Sequence, residues 1–347
     1  MKLTVLACLL LTCIVAHSGT RTDTVAVINT GQPCSIRGMS IQGDHVVWVS
    51  GSNGHVARST DAGKSWKWMV VSGYEKTDFR DIHAFDSSTA IIMGVDNPAY
   101  ILKTKDGGQT WKLVYTKDMA GMFLDALDFR NGKEGICIGD PIDDGGGKKM
   151  FFVLRTMDGG ETWEQEMSDK MPPALQGEAI FSASGTNIAL LDSKDFDYAF
   201  ISGGLASNLY LIGRNGVPNK VYPLRINKGK ESAGAFSMAT DRRKKLYCIG
   251  GDYKAPDSVN GNFVWTTYNG ESWKTPGQAP PNGYRSCIGI IEGERMVACG
   301  SNGVDICSNP HKWMRISKES FNVCMISPNK KLIFFGGEKG RIGLLKL

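Results

Sequence analysis

The sequence predicts an all-β protein, a seven-bladed β-propeller whose ring is closed by its N-terminal strand. Three observations predict it. A turn motif ending in tryptophan recurs along the chain at intervals of about 45 to 55 residues. Short apolar runs that end in glycine recur with it, and the C-terminal unit is one strand short. Composition agrees. Of 347 residues, 41% are hydrophobic and 22% charged, and the 42 glycines exceed the usual share of roughly 7%, as many tight turns require.

The first residues are a separate object. Lys2 precedes an almost continuous apolar run from Leu3 to Ala16, and Ala16-His17-Ser18 offers small residues before Gly19. Residues 1–18 therefore read as a secretory signal peptide, and 19–347 as a single β-propeller domain. The run is too short for a membrane span, which needs about 20 residues, and no other segment reads as transmembrane. The expected location is periplasmic or extracellular. Leu10-Leu11-Thr12-Cys13 is a poor lipobox, so anchoring through Cys13 is the lesser alternative. The formal charge of +5 is a mild excess over a large surface, which excludes the clustered basic stripe of a nucleic-acid binder.

Unit one begins with an inner strand at Ile36–Ile41. It continues through His45–Val49, a turn at Ser52-Asn53-Gly54 and a third strand at His55–Ser59, and ends with Trp66–Val71. Between the last two strands lies Ser59-Thr60-Asp61-Ala62-Gly63-Lys64-Ser65-Trp66. The pattern returns with Asp106, Gly108 and Trp111, again with Asp158, Gly160 and Trp163, and in shortened form with Asn269 and Trp273. The aspartate suits an Asx-type turn, the glycine a positive φ, and the tryptophan a cap on the adjoining strand pair. These residues form a folding device with no catalytic role. One unit between Trp163 and Trp273 has lost the motif and keeps Gly213-Arg214-Asn215-Gly216; a further unit ends at Trp313. Second strands are expected at Ala90–Gly94, Gly135–Gly139, Tyr198–Gly203, Leu246–Gly250, Met296–Gly300 and Leu332–Gly336. The last unit, Lys331 to Leu347, takes its missing strand from Thr24–Ile28.

At this level of detail the chain resembles the Asp-box (BNR repeat) propellers, and within them the bacterial relatives of the photosystem II stability/assembly factors. Sialidases and sortilin-type propellers are more distant. The resemblance rests on Arg37-Gly38-Met39-Ser40, Val47-Trp48-Val49-Ser50-Gly51, Ala57-Arg58-Ser59-Thr60-Asp61, Asp78-Phe79-Arg80-Asp81-Ile82 and Gly139-Asp140-Pro141. It covers nearly all of Thr24 to Leu347. It implies a chaperone-like binding role toward a membrane or exported protein.

Strand alternation places the aspartate turns on one face and the starts of the inner strands on the other, at the channel mouth. Aligning those starts brings Arg37, Arg80, Asp125, Glu178, Gly234, Arg285 with Ser286, and Asn322 into one annulus. Three arginines there suit a polar or anionic ligand, because a guanidinium forks a carboxylate. The alternative is that they neutralise Asp81, Asp125 and Glu178 in an interblade network. The loops Asp140–Gly147 and Asp252–Asn262 share this face and are candidates for recognition; the acidic turn of Asp140, Asp143 and Asp144 reads as solvated, with Ca²⁺ the lesser reading. The leading functional expectation is an exported, non-catalytic propeller that binds a protein client or an anionic ligand there, with no cofactor and no metal.

A glycosidase is the alternative. Asp125 and Glu178 would be its carboxyl pair, about 5–5.5 Å or 6.5–9.5 Å apart according to mechanism. A sialidase-like variant would clamp a carboxylate with Arg37, Arg80 and Arg285 and use Tyr284 as nucleophile. The chain departs from that family in lacking the F-R-I-P segment and in counting seven units. No G-x-G-x-x-G stands between a strand and a helix, so an oxidoreductase has no support. Seven cysteines follow the leader, an odd count that argues against a full disulfide framework; Cys299 with Cys307 is the pair to inspect.

Overall fold

A computed structural model describes residues 24–95, 97–143, 145–167, 171–241, 245–267 and 272–347. The leader at 1–18 with Cys13, and also Asp144 and Asn269, lie outside the described residues. Seven antiparallel sheets follow one another along the chain and form the blades of a propeller. Blade 1 comprises Ile36–Gln42, Val46–Gly51, His55–Ser59 and Lys67–Val70. Blade 2 spans 79–117, blade 3 spans 124–165, blade 4 spans 188–223, blade 5 spans 233–267 and blade 6 spans 287–317. Blade 7 takes Val323–Ile326, Leu332–Gly336 and Ile342–Lys346 from the C-terminus, and its outer strand is Ala26–Asn29. Ala26 pairs with Leu344 and Asn29 with Ile342, so the two ends of the chain close the ring as the sequence predicts. No helix among the described residues is long and apolar enough to cross a membrane.

Each blade is buried on both faces by its neighbours, which is why the inner three strands read as near-continuous apolar runs. Ile36, Val47 and Val49 of blade 1 share one cluster with Phe334 and Phe335 of blade 7. Burying each such side chain contributes about 1.5–3 kcal/mol.

The aspartate turns have one repeated geometry. Asp106 accepts hydrogen bonds from the Thr110 N–H at 2.9 Å, the Thr110 hydroxyl at 2.6 Å, the Gln109 N–H at 3.0 Å and the Thr104 hydroxyl at 2.9 Å. Asp61 and Asp158 repeat this with Ser65 and Thr162. In all three the hydroxyl before the aspartate accepts from the turn glycine, Gly63, Gly108 or Gly160, at 2.8 to 3.0 Å. Those hydrogen bonds, led by the one from the following hydroxyl side chain, hold each carboxyl down at about 2.

The turns also do more than staple their own hairpins. Gly108 has φ +85° and lies against Met69 and Trp48 of blade 1; a Cβ at Gly160 would meet Ile91 of blade 2 at 2.2 Å. Trp111 packs edge-on to Trp48 of blade 1, and Trp313 to Phe263 of blade 5. The residue three before each aspartate is basic, Arg58, Lys103 and Arg155, and reaches the next blade. Lys103 Nζ donates to Gly159 O at 2.9 Å and to Glu161 Oε1 at 2.6 Å. Turn, tryptophan and base together make an interblade seam. At blade 4, where the motif is lost, Arg155 instead joins an ion cluster with Glu166, Asp197, Arg130 and Arg214.

Cys299 and Cys307 do not face each other. Cys299 pairs across the sheet with Cys287, whereas Cys307 pairs with Met296. Cys299 stands opposite Val304, three positions from Cys307, so the thiols lie apart along the hairpin. All seven described cysteines are free and buried.

Candidate functional site

The inner strands carry a repeated irregularity at one end. In blade 1 the register passes from Ile36 opposite Gly51 to Gly38 opposite Ser50, skipping Arg37. Blade 2 skips Arg80, blade 3 Asp125 and blade 5 Phe236 in the same way. In blade 6 the Ser286 N–H donates to Cys299 O although Cys287 is the register partner of Cys299. A one-residue bulge re-aims the side chain it inserts. It turns Arg37, Arg80 and Phe236 toward the mouth of the channel, whereas Asp125 and Ser286, at the same position in their strands, do not line it.

A cavity of about 550 Å³ opens there, lined by residues of blades 1, 2, 3, 5, 6 and 7 and of their loops; the segment 179–183, ahead of blade 4, takes that blade's place. Arg37 and Arg80 form one side. Phe181, Phe236, Tyr253 and Tyr284 pack together as an aromatic corner, and Asp140, Glu338 and Asn322 also line the cavity. Arg80 is held: its Nε donates to Asp78 Oδ2 at 2.7 Å and its Nη1 to Ser182 O at 3.0 Å. Arg37 makes no hydrogen bond and no ion pair within 4 Å among the described residues. Burial and then the neighbouring Arg80 guanidinium push it below its ordinary value. A guanidinium in that state is stabilised by any carboxylate that reaches it.

Of the other members of the predicted annulus Asn322 lines the cavity, while Asp125, Glu178, Gly234, Arg285 and Ser286 do not. Arg285 is fully buried behind the mouth; its Nη2 lies 2.6 Å from Asp305 Oδ2, with both side chains 0% exposed. It also donates to Tyr284 O and Asn282 O, so it builds the wall and is not available to a ligand. Glu178 does not begin an inner strand. Blade 4 starts at Ile188–Leu190, and Glu178–Ala179 pairs with Gly203–Gly204 in a ribbon that joins blade 5. The Glu178 carboxylate accepts from Leu175 N–H, Asn208 Nδ2 and the Tyr210 hydroxyl, each at 2.8 Å, and from the Ser202 hydroxyl. It pins the excursion between blades 3 and 4.

Asp125 is fully buried, with neither carboxyl oxygen hydrogen-bonded. Burial and then Asp140 push its carboxyl well above the usual range. Neither Asp125 nor Glu178 lines the cavity, so they do not form a carboxyl pair across a shared space. None of the ion pairs among the described residues joins Arg37, Arg80 or Arg285 to Asp81, Asp125 or Glu178; the expected interblade network is replaced by Arg80–Asp78 and Arg285–Asp305. Tyr284 does line the cavity. Its hydroxyl is pushed up by burial, with Arg37 opposing.

Asp140 lines the mouth, accepts from the Ile180 N–H at 2.8 Å and is raised by burial to about 6. Asp143 instead caps its own turn through Gly145 and Gly147, so these two carboxylates serve different purposes. Phe236 is the mouth residue that the sequence alignment placed two positions early, at Gly234. A signal for it exists. Arg37, Arg80, Asp125, Phe236, Ser286 and Asn322 each stand fourteen positions before the glycine that ends the second strand, Gly51, Gly94, Gly139, Gly250, Gly300 and Gly336.

No protein-family model matches the chain, and no curated protein sequence matches it. Solved structures do. The chain is similar to YCF48 bound to a D1 peptide, with TM-score 0.64 and 15% identity over 94% of this chain and 97% of that one. YCF48 from Cyanidioschyzon merolae gives 0.61 and 14%, over 93% and 99%. A streptogramin B lyase gives 0.65 and 16%, over 93% and 97%. At such identities the likeness shows the propeller fold, on which binding proteins and enzymes are both built.

Proposed function

We propose that this protein is a non-catalytic propeller that binds a segment of another protein at the channel mouth, in the manner of an assembly factor, and that it works after export. The observation that carries the reading is Arg37, a partly buried guanidinium that faces a cavity and has no ion-pair partner within 4 Å among the described residues. Arg80, held in place by Asp78 and Ser182, supplies a second positive edge. A carboxylate from a client would satisfy Arg37 without displacing any internal ion pair. The solved YCF48 with a bound D1 peptide supports peptide binding as a use of this fold. The hydrolase reading draws no support from a site in which Asp125 and Glu178 are both enclosed in the walls.

The test is a binding screen of the mature protein against arrayed peptides with and without acidic residues. The expected result is selective capture of acidic peptides, weakened at least roughly tenfold in Arg37→Ala, as for an interface hot spot. Equal capture by wild type and Arg37→Ala, or capture of no peptide, overturns the reading. N-terminal sequencing of protein recovered outside the cytoplasm tests the export step, with Gly19 the expected first residue.

A further inference from the structure

The mouth has a second half that an anion site alone does not explain. Phe181 and Phe236 stack at 4.0 Å between ring centroids, 5° from parallel. Tyr284 stands edge-on to Phe236 at 4.8 Å, and Tyr253 at 6.2 Å. Phe236 and Tyr284 are buried, while Tyr253 is 47% exposed at the rim. An exposed ring of this size is ordinarily mobile, and its capture by a ligand costs conformational entropy.

Tyr253 sits on a backbone that is already fixed. Its N–H donates to Ser232 O, and the preceding Asp252 carboxylate binds Lys230 and the Lys254 N–H. Further along the same loop, Pro256 O accepts from the Tyr284 N–H and from Asn302 Nδ2, each at 2.9 Å, and Asp257 holds Asn302 as well. A rigidly mounted tyrosine beside an apolar wall is the composition of an interface anchor.

Charge narrows the ligand further. Arg80 is neutralised by Asp78, and the mouth also carries Asp140 and Glu338. Arg37 is the lining cation without a hydrogen-bond or ion-pair partner within 4 Å among the described residues, and Asp78 and Glu338 act on it only at longer range, so the cavity suits a ligand with one carboxylate better than one with a cluster of them. Arg37 lies within electrostatic reach of Tyr284, which makes the anion site and the aromatic corner neighbours. The cavity of about 550 Å³ is inside the range of about 300–1,000 Å³ of ligand sites.

We propose that the Phe181–Phe236–Tyr253–Tyr284 corner is a side-chain subsite, so that the recognised segment carries a single carboxylate with an aromatic or large apolar side chain next to it. The proposal rests on the peptide-binding reading and specifies its ligand. The corner selects the side chain; Arg37 selects the charge.

The experiment uses blocked octapeptide libraries, acetylated and amidated, with one fixed Asp and no other charge. The position beside the Asp is fixed as Phe, Leu or Ala. Wild type is expected to bind the Phe and Leu libraries roughly tenfold or more tightly than the Ala library, the size of effect that burying such an anchor produces. In Tyr253→Ala that preference shrinks to near zero, while dependence on the Asp persists; in Arg37→Ala the reverse holds. The Tyr253 ring is largely exposed, and an unchanged melting temperature confirms that the variant folds. Equal binding of Phe, Leu and Ala libraries, with Asp dependence intact, overturns the subsite and leaves the peptide-binding reading standing. Binding of no library overturns both.

Discussion

The two faces of the ring use charge in opposite ways. On one, Asp61, Asp106 and Asp158 are each surrounded by donors from their own turns, which hold their carboxyls at about 2. On the other, Arg37 faces a cavity with no ion partner close by, and burial pushes it down from its ordinary value. The first arrangement commits the carboxylates to the fold. The second leaves a full charge for something outside it. Residue type does not distinguish them, since aspartates and arginines occur on both faces. What distinguishes them is whether the neighbours in space complete the hydrogen bonding.

The sharpest way to break this comparison is Arg285. It shares the mouth's composition but belongs energetically to the fold. Arg285→Met strands the Asp305 charge in the interior, and breaking such a pair costs about 3–5 kcal/mol. The urea midpoint is expected to fall accordingly. A small shift would mean that Arg285 and Asp305 are not a structural pair and that the mouth extends further than described.

Next in size is Arg37→Ala. Ligand affinity is expected to drop at least roughly tenfold, while unfolding stability stays within about 0.5 kcal/mol of wild type because no internal partner is lost. A large loss of stability would place Arg37 with the clasps. A mutation in a clasp should do the opposite. Asp158→Ala is expected to lower the melting temperature by a few degrees, roughly the loss of one capping residue in a chain of this size, and to leave peptide affinity unchanged.

The pH responses separate the faces as well. The clasp carboxyls are depressed from 3.8 to about 2 on folding, so their contribution is present above about pH 4 and is lost as pH falls toward 2. The acid limb of an unfolding curve should flatten when all three are changed to Asn. At the mouth, Asp140 is raised to about 6, so it is protonated below that value. Its neutralisation removes a negative charge beside the anion site. Affinity for a singly acidic peptide is therefore expected to rise modestly as pH falls from 7 to 5.5, and Asp140→Asn to abolish that rise.

Much of this was legible in the chain because the repeat is local. Asp106, Gly108 and Trp111 sit within six residues, and a turn that closes within six residues leaves its pattern in the sequence. The mouth was legible where a bulge followed the same spacing as in blade 1, hence Arg37 and Arg80; Asp125 shares the spacing but is buried and does not line the cavity. It was not legible at Glu178, because the chain between blades 3 and 4 makes an excursion that no repeat announces. Phe236 keeps the same spacing before Gly250, but aligning the inner-strand starts put the mouth position two residues early, at Gly234.

The sequence by itself determined the number of blades, the closure of the ring by Ala26–Asn29 and the chemistry of the clasps, because each depends on residues adjacent in the chain or on a strand left without a mate. Only the tertiary structure decided which arginine is available. Arg80 is held by a carbonyl 102 residues away, at Ser182, and Arg285 is enclosed through Asp305, while Arg37 meets no such partner among the described residues. Pairing between distant residues is a property of the closed ring, and it becomes defined only when the blades meet.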